Sequence, residues 1–182
     1  MKETFKTENQ TEQIAACRQE IIEILNHSRL PQSLGHAQRT EHWLEQLLPT
    51  ADELMKIAAL GHDLDTCREP WRILRLADEA EQAFKKRHAK KSAELLSAIL
   101  HRHNFSETDI NRVKQLVADH ETGETELGKI LMWAESLAFL EYNVPFYLKQ
   151  KGPEKTNSKV QEMFNRLPPH LQEIATPFLN LS

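Results

Sequence analysis

Histidine is the residue type that stands out in this chain. Nine occur, and several fall where an amphipathic helix would turn them inward. His88 shares a helical face with Ser92, Leu95 and Ile99, His120 continues the stripe of Val113 and Val117, and His62 extends the row Met55–Ala58–Ala59. His36 lies on the side of its helix that carries Trp43 and Leu47. Two acids keep them company: Asp63 directly follows His62, and Glu135 sits between Leu131 and Ala138 on the buried side of its own helix. A buried, unpaired carboxylate costs several kcal/mol or more, so each acid needs a cation. A metal ion is such a cation, and it also takes the lone pairs of neutral imidazoles. One inward histidine alone reads most simply as a core residue with a hydrogen-bond partner. Four of them with Asp63 and Glu135, spread over five helices, read as a metal site. His103 also falls on an apolar face, His42 lies among polar neighbours and reads as solvated, and His27 and His170 have no constellation around them.

Other chemistries are poorly served. The five glycines are scattered, so there is no Gly-rich loop to cradle phosphates and no dinucleotide fingerprint. No G-x-S-x-G nucleophile elbow occurs. With 40% hydrophobic and 27% charged residues and a net charge of −4, the composition is that of a soluble globular protein with no general attraction for nucleic acid or an anionic membrane. Neither partner is therefore expected, and any anionic ligand must be held by a local device. Met1–Gln13 is polar and lacks the apolar core of a signal peptide. The most apolar stretch, Ile130–Leu140, is interrupted by Glu135 and is too short to span a bilayer. Cys17 and Cys67 are too far apart for a redox or zinc-ribbon motif and read as reduced thiols of a cytoplasmic protein.

The elements that must position these side chains are helical almost throughout. Ile14, Cys17, Ile21, Ile24 and Leu25 form one stripe and predict a helix over Thr11–His27. A turn over Ser28–Ser33 leads to a second stripe, Ala37, Leu44, Leu47 and Leu48, which ends before Pro49. Thr50 is a candidate cap for a third helix that buries Leu54, Ile57, Ala58 and Gly61. Leu64–Glu81 contains Pro70 and predicts at most a short helix around Trp71–Glu79. Long helices follow over Phe84–His103, from Ser106 through His120 to a stop at Gly123, and over Glu126–Lys149, where Pro145 should kink or end the last of them. Gly152–Pro153 breaks the chain before one or two short helices around Pro168–Pro169. Alternating strand patterns are nearly absent, and there is no internal repeat. The expectation is an all-α fold of about seven to nine helices in one domain, 1–182.

The order of the inward residues carries a resemblance. Leu-Gly-His36-Ala is followed by Ala-Ala-Leu-Gly-His62-Asp63, Arg-His88-Ala-Lys-Lys-Ser-Ala, Val-Ala-Asp-His120-Glu-Thr-Gly and Leu-Met-Trp-Ala-Glu135-Ser-Leu. This resembles the HD superfamily of metal-dependent phosphohydrolases over about 34–143, with 1–30 as an N-terminal helix and 153–182 as C-terminal helices packing on the domain. More narrowly it is similar to the branch with two additional histidines, in which diadenosine-tetraphosphate hydrolases and HD-GYP phosphodiesterases show the same six-ligand order.

The resemblance implies a pair of divalent transition-metal ions, Fe, Mn or Co, with Zn a further candidate. His36, His62, Asp63 and Glu135 would hold one ion, and His88 and His120 the other, with Asp63 bridging. The last acid of the family is normally aspartate, so Glu135 departs from the pattern, and its extra methylene moves the carboxylate by about 1.5 Å. The implied activity is attack of a metal-activated water on a phosphate ester or anhydride in a nucleotide or other small phosphorylated molecule. Asp63 would be catalytic, and Asp65 is a candidate either to orient a histidine or take a proton, or simply to end a helix. Candidate substrate contacts are Arg39 and the basic run that brackets His88, with Lys86, Arg87 and Lys90 in front. That run also reads as a solvated face. Tyr142, Asn143, Phe146 and Tyr147 could line a pocket or pack as core. Two other functions use the same ligands: a di-iron oxygenase of HD type, and a degenerate HD module that binds a nucleotide or partner as a signal.

Overall fold

The computed structural model describes residues 2–69 and 71–179, with side chains described from residue 10 onward; Pro70 and the chain's extreme ends, including part of the polar Met1–Gln13 stretch, lie outside the described residues. Nine α-helices form among them, and no strand. They are α1 (Lys2–Asn26), α2 (Ser33–Leu47), α3 (Glu53–Gly61), α4 (Glu81–Arg102), α5 (Glu107–Asp119), α6 (Glu126–Ala138), α7 (Val144–Lys151), α8 (Pro153–Asn165) and α9 (Pro169–Ala175). The fold is all-α, as composition and periodicity require.

Helix α3 is the centre of the molecule. Met55 and Ile57–Gly61 are all buried, so beyond Lys56 this short helix is apolar on every side, the mark of an element enclosed by others. It packs between α2 and α5, while α4 lies along α5 and α2 lies along α6. Each fully buried side chain such as Ile57 or Leu60 contributes about 1.5–3 kcal/mol relative to exposure. α1 closes the core through Cys17, Ile21, Ile24 and Leu25. A second apolar cluster joins the end of α6 to α7, α8 and α9 through Leu137, Phe139, Leu140, Val144, Met163, Leu167, Leu171 and Ala175.

Three local expectations need correction. The cap of α3 is Asp52, whose carboxylate accepts from the Met55 amide at 3.0 Å, rather than Thr50. Trp71–Glu79 is irregular instead of helical. Leu74 and Leu76 are 61% and 65% exposed there, and a single short turn without a buried face does not sustain a helix. The stretch Glu126–Lys149 is not one helix: α6 passes into a π-helical segment, Phe139–Asn143, before α7 begins. That segment places Pro145 in the first turn of α7, where its missing N–H leaves no bond unmade. Ser106 caps α5 as expected, accepting from the Asp109 amide at 3.2 Å.

Both cysteines are free and buried. Burial pushes the Cys17 thiol up to about 12 and the Cys67 thiol up to about 11, which removes them from thiolate chemistry. Among the described residues no helix is long and apolar enough to cross a membrane.

Candidate metal centre

Two of the candidate ligands occupy the same local position. His62 follows the last residue of α3 and His120 the last residue of α5, each as the C-cap. Each turns its ring back along the helix: His62 Nδ1 lies 2.7 Å from the Ala59 carbonyl and His120 Nδ1 lies 2.6 Å from the Val117 carbonyl. A carbonyl only accepts, so both Nδ1 atoms donate. The exposed lone pair is therefore on Nε2 in both rings, and each ring is anchored to a carbonyl of the last helical turn.

These lone pairs converge with four further groups. His36, from the first turns of α2, brings its Nε2 to 3.2 Å from His62 Nε2. The ligand atoms of His36, His62 and Glu135 all lie within 4.8 Å of one another, and so do those of Asp63, His88 and His120. Asp63 stands between the two groups. Its Oδ2 is 3.8 Å from His62 Nε2, and its Oδ1 is 3.0 Å from His88 Nε2 and 3.8 Å from His120 Nε2. One carboxylate oxygen thus faces each group. The five other ligand candidates are almost fully enclosed, whereas the Asp63 side chain is 30% exposed, so access to the centre is past Asp63.

Asp65 fixes the remaining ring. In the 3-10 turn Leu64–Thr66 its Oδ1 lies 2.8 Å from His88 Nδ1 and also accepts from the Ser92 hydroxyl at 2.9 Å. His88 and Ser92 are one turn apart on α4, so the pair clamps this turn against the helix. Of the two roles weighed for Asp65, the geometry corresponds to orienting a histidine, a partner that metal-bound imidazoles regularly have.

The electrostatics leave the groups ready for cations. Burial, reinforced by His62, pushes His36 down to about 3, and burial also lowers His120, so enclosure works against the charge of both rings. His88 behaves oppositely: burial disfavours its charge, but bonds to Asp63 and Asp65 raise it well above an ordinary imidazole. Burial opposes ionisation of Asp63 as well, and His62, His88 and His120 together hold it well below the usual carboxylate range. The two carboxylates thus favour the protonated form of His88, and an ion taking its Nε2 would have to replace that proton.

The donor set fits a pair of transition-metal ions. Imidazole and carboxylate together suit Fe, Mn, Co or Zn. His120 Nε2 and His36 Nδ1 are buried without a hydrogen-bond partner, and a buried acceptor left unpaired is costly unless something else meets it. His120 Nε2 is an unpaired lone pair 3.8 Å from Asp63 Oδ1, and a cation between them would meet both.

Glu135 does something the sequence does not foretell. It reaches the His36–His62 group and also accepts a hydrogen bond from Arg166 Nη1 at 3.2 Å on Oε2. Arg166 Nη2 in turn donates to Glu121 Oε2 at 2.6 Å and to Glu162 Oε1 at 2.9 Å, and Glu121 Oε1 lies 3.9 Å from His88 Nε2. Burial opposes the charge of Glu121, yet His120 and Arg166 hold its carboxyl down at about 2. Arg166 and Glu121 are missed by sequence reasoning, although Lys159, Glu162, Met163 and Arg166 share one face of α8 at helical spacing.

The candidate substrate contacts are dispersed. Arg39 is committed to Glu141, which it meets with both Nε, at 2.8 Å, and Nη2, while Trp43 Nε1 donates to the same carboxylate at 2.8 Å. Lys86 is 61% exposed and paired with Glu124 at 2.9 Å. Arg87 is held by Glu79 and the Leu74 carbonyl, and Lys90 is exposed. The lysine of this run that turns inward is Lys85. Asn143 lines a cavity of about 50 Å³ together with His36 and Asp63. Tyr142 packs on α2, where a Cβ at Gly35 would meet its hydroxyl at 2.2 Å. Phe146 packs against Tyr142, and Tyr147 lines a separate cleft. His103 is paired with Glu20 at 2.7 Å, and His27 and His170 are exposed.

Fold and site define an all-helical protein in which six imidazole and carboxylate groups, on five helices and the turns that end them, form two adjacent sets suited to metal. Residues 8–182 match the model of a family described as Domain of unknown function (DUF4202), and the chain belongs to that family. No curated protein and no solved structure matches it. The matched stretch includes α8 with Lys159, Glu162 and Arg166, beyond the 34–143 span of the HD resemblance.

Proposed function

We propose that the protein is a metal-dependent phosphohydrolase of HD type, acting on a phosphate ester or anhydride of a nucleotide or other small phosphorylated molecule. The observation that carries this reading is the convergence of His36, His62, Asp63, His88, His120 and Glu135 in two sets of three, in the chain order of the six-ligand HD pattern. When bound, a pair of divalent ions would acidify a water and neutralise charge on the phosphoryl oxygens. The chain's own residues do the rest. Asp63 faces both sets and is the most accessible of the six, so it would bridge the two ions at the mouth of the centre. Asp65 holds the His88 ring by its Nδ1. The buried imidazoles of His36, His62 and His120 keep bulk water from the inner side. The two buried free thiols favour a reducing compartment, and we assign the reaction to the cytoplasm.

The test is phosphate release from a panel of nucleotides, dinucleoside polyphosphates and phosphomonoesters by protein charged with Mn, Fe or Co. Turnover should depend on added metal and vanish in Asp63→Ala. Fully metallated protein that releases phosphate from none of them contradicts the reading. One contact favours a second reading, a signalling module that binds without turnover: Arg166 already balances Glu135. Nucleotide binding by metallated protein with no hydrolysis would select it.

A further inference from the structure

The two helices that close on an inward histidine end alike. α3 stops at His62 and α5 at His120, each the C-cap with its ring turned back on the helix. An acid follows directly in both places, Asp63 in one and Glu121 in the other. Both acids address the same atom: Asp63 Oδ1 lies 3.0 Å and Glu121 Oε1 lies 3.9 Å from His88 Nε2. Asp63 is one of the six ligand candidates, and Glu121 stands just outside them.

Without Glu121 the two sets are unequal. His36 and His62 have Glu135 as an acid of their own, whereas His88 and His120 have only Asp63, which also faces the first set. The Glu121 side chain is only 8% exposed, and a carboxylate so enclosed is costly unless its lone pairs are met. Arg166 Nη2 donates to its Oε2 at 2.6 Å, but no hydrogen bond among the described residues uses its Oε1. Glu135 is held in the same way, since Arg166 Nη1 donates to its Oε2 at 3.2 Å. One guanidinium thus carries an acid beside each set. The spacing fits a common ion. Two ligands each about 2.1 Å from one ion stand at most about 4.2 Å apart. The separations of Asp63 Oδ1 from the His88 and His120 Nε2 atoms, 3.0 and 3.8 Å, and of Glu121 Oε1 from His88 Nε2, 3.9 Å, all fall within that limit.

We propose that Glu121 is a further ligand of the ion held by His88, His120 and Asp63, the counterpart of Glu135 in the other set, with Arg166 positioning both acids. Each ion then has two imidazoles, an acid of its own and a share of Asp63. The added carboxylate shifts the second site toward harder ions such as Mn. This assignment rests on the two-ion reading of the centre and not on the reaction performed there.

The probe is Mn²⁺ alone, titrated calorimetrically into metal-free full-length protein and its Glu121→Gln variant. Gln keeps the side-chain length and an oxygen for Arg166 but loses the charge. The parent should bind two ions; the variant should bind one as the parent does and the other about tenfold more weakly. Saturation with Co²⁺ separates ligation from a nearby charge: a changed ligand alters the visible absorption bands, whereas a charge acting through space alters affinity alone. If Glu121→Gln does not fold, Glu121→Asp keeps the charge beside Arg166, draws the oxygen back by about 1.5 Å and makes the same test. Two ions bound as tightly as in the parent, with only a lower Tm, reduce Glu121 to a partner of Arg166 and overturn the assignment while the centre stands. Weaker binding with an unchanged Co²⁺ spectrum overturns it too. A parent that binds one ion or none rejects the two-ion reading and Glu121 with it. The expected losses in a protein that hydrolyses nothing keep Glu121 as a ligand and reject only the hydrolase reading.

Discussion

Asp63 is the residue on which the centre turns. It is the one carboxylate of the six candidates with an oxygen toward each set of imidazoles, and under the proposed function its replacement takes a ligand from both. Asp63→Ala should therefore be the most damaging of the single ligand changes for metal content, lowering affinity by about 10- to 100-fold or more. His42→Ala, whose ring lies beside Trp43 well away from these groups, should bind metal as the parent does. Chelator competition on the two variants checks this, and equal behaviour would mean that Asp63 is not shared. The inward histidines were legible because each continues an apolar stripe of its own helix. Arg166 was not: a charged residue at the end of a polar helix reads as solvated until Glu121, from the turn after α5, and Glu135, from α6, are seen around it. The basic run shows the finer limit: Lys85 is buried and its neighbour Lys86 exposed, since one residue turns a helical side chain by about 100°.

Among the elements, the turn between α5 and α6 carries His120 and Glu121, and a single acid organises it. Asp119 accepts from the Glu124 and Thr125 amides, each at 2.7 Å, and from the Thr122 and Thr125 hydroxyls. The lack of a Cβ at Gly128 makes room, since one would meet Asp119 Oδ2 at 2.0 Å. Asp119→Asn keeps the shape but loses charge and acceptors, and should destabilise the fold by on the order of 2 kcal/mol in urea unfolding at neutral pH. Burial opposes its ionisation, yet the bonds from Thr125, Glu124 and Thr122 leave its carboxyl below the usual range. The sign follows: the contribution is full above the pKa of an unfolded aspartate and is lost as pH falls through the lower folded value. The gap between parent and variant should accordingly shrink in acid; a gap that is constant with pH would contradict this role. The helices themselves were legible from periodicity, because most bury one clear stripe. In the misread segment, Trp71–Glu79, Trp71 packs on the core, but Leu74 and Leu76 stay exposed, so no continuous helical face is buried.

At the scale of the whole molecule, Arg166 couples the C-terminal helices to the metal ligands. Its guanidinium balances Glu121, Glu135 and Glu162, and although burial disfavours its charge, these acids raise it well above an ordinary arginine. Arg166→Ala leaves Glu121 and Glu135 enclosed without their cation, a loss of about 3–5 kcal/mol for a broken buried pair. Bound metal would neutralise Glu135, so the fall in Tm relative to the parent should be smaller with metal than without. An identical fall in both conditions, read by thermal melting, would show that Arg166 and the metal do not share that carboxylate.

The central claim, two ions held by six side chains, is tested most directly by elemental analysis of protein purified without chelator and reconstituted with Mn, Fe or Co. The account requires close to two transition-metal ions per chain, both lost in Asp63→Ala. A reproducible value of one would remove His88 and His120 from the ligand set, and none after reconstitution would contradict the metal centre altogether.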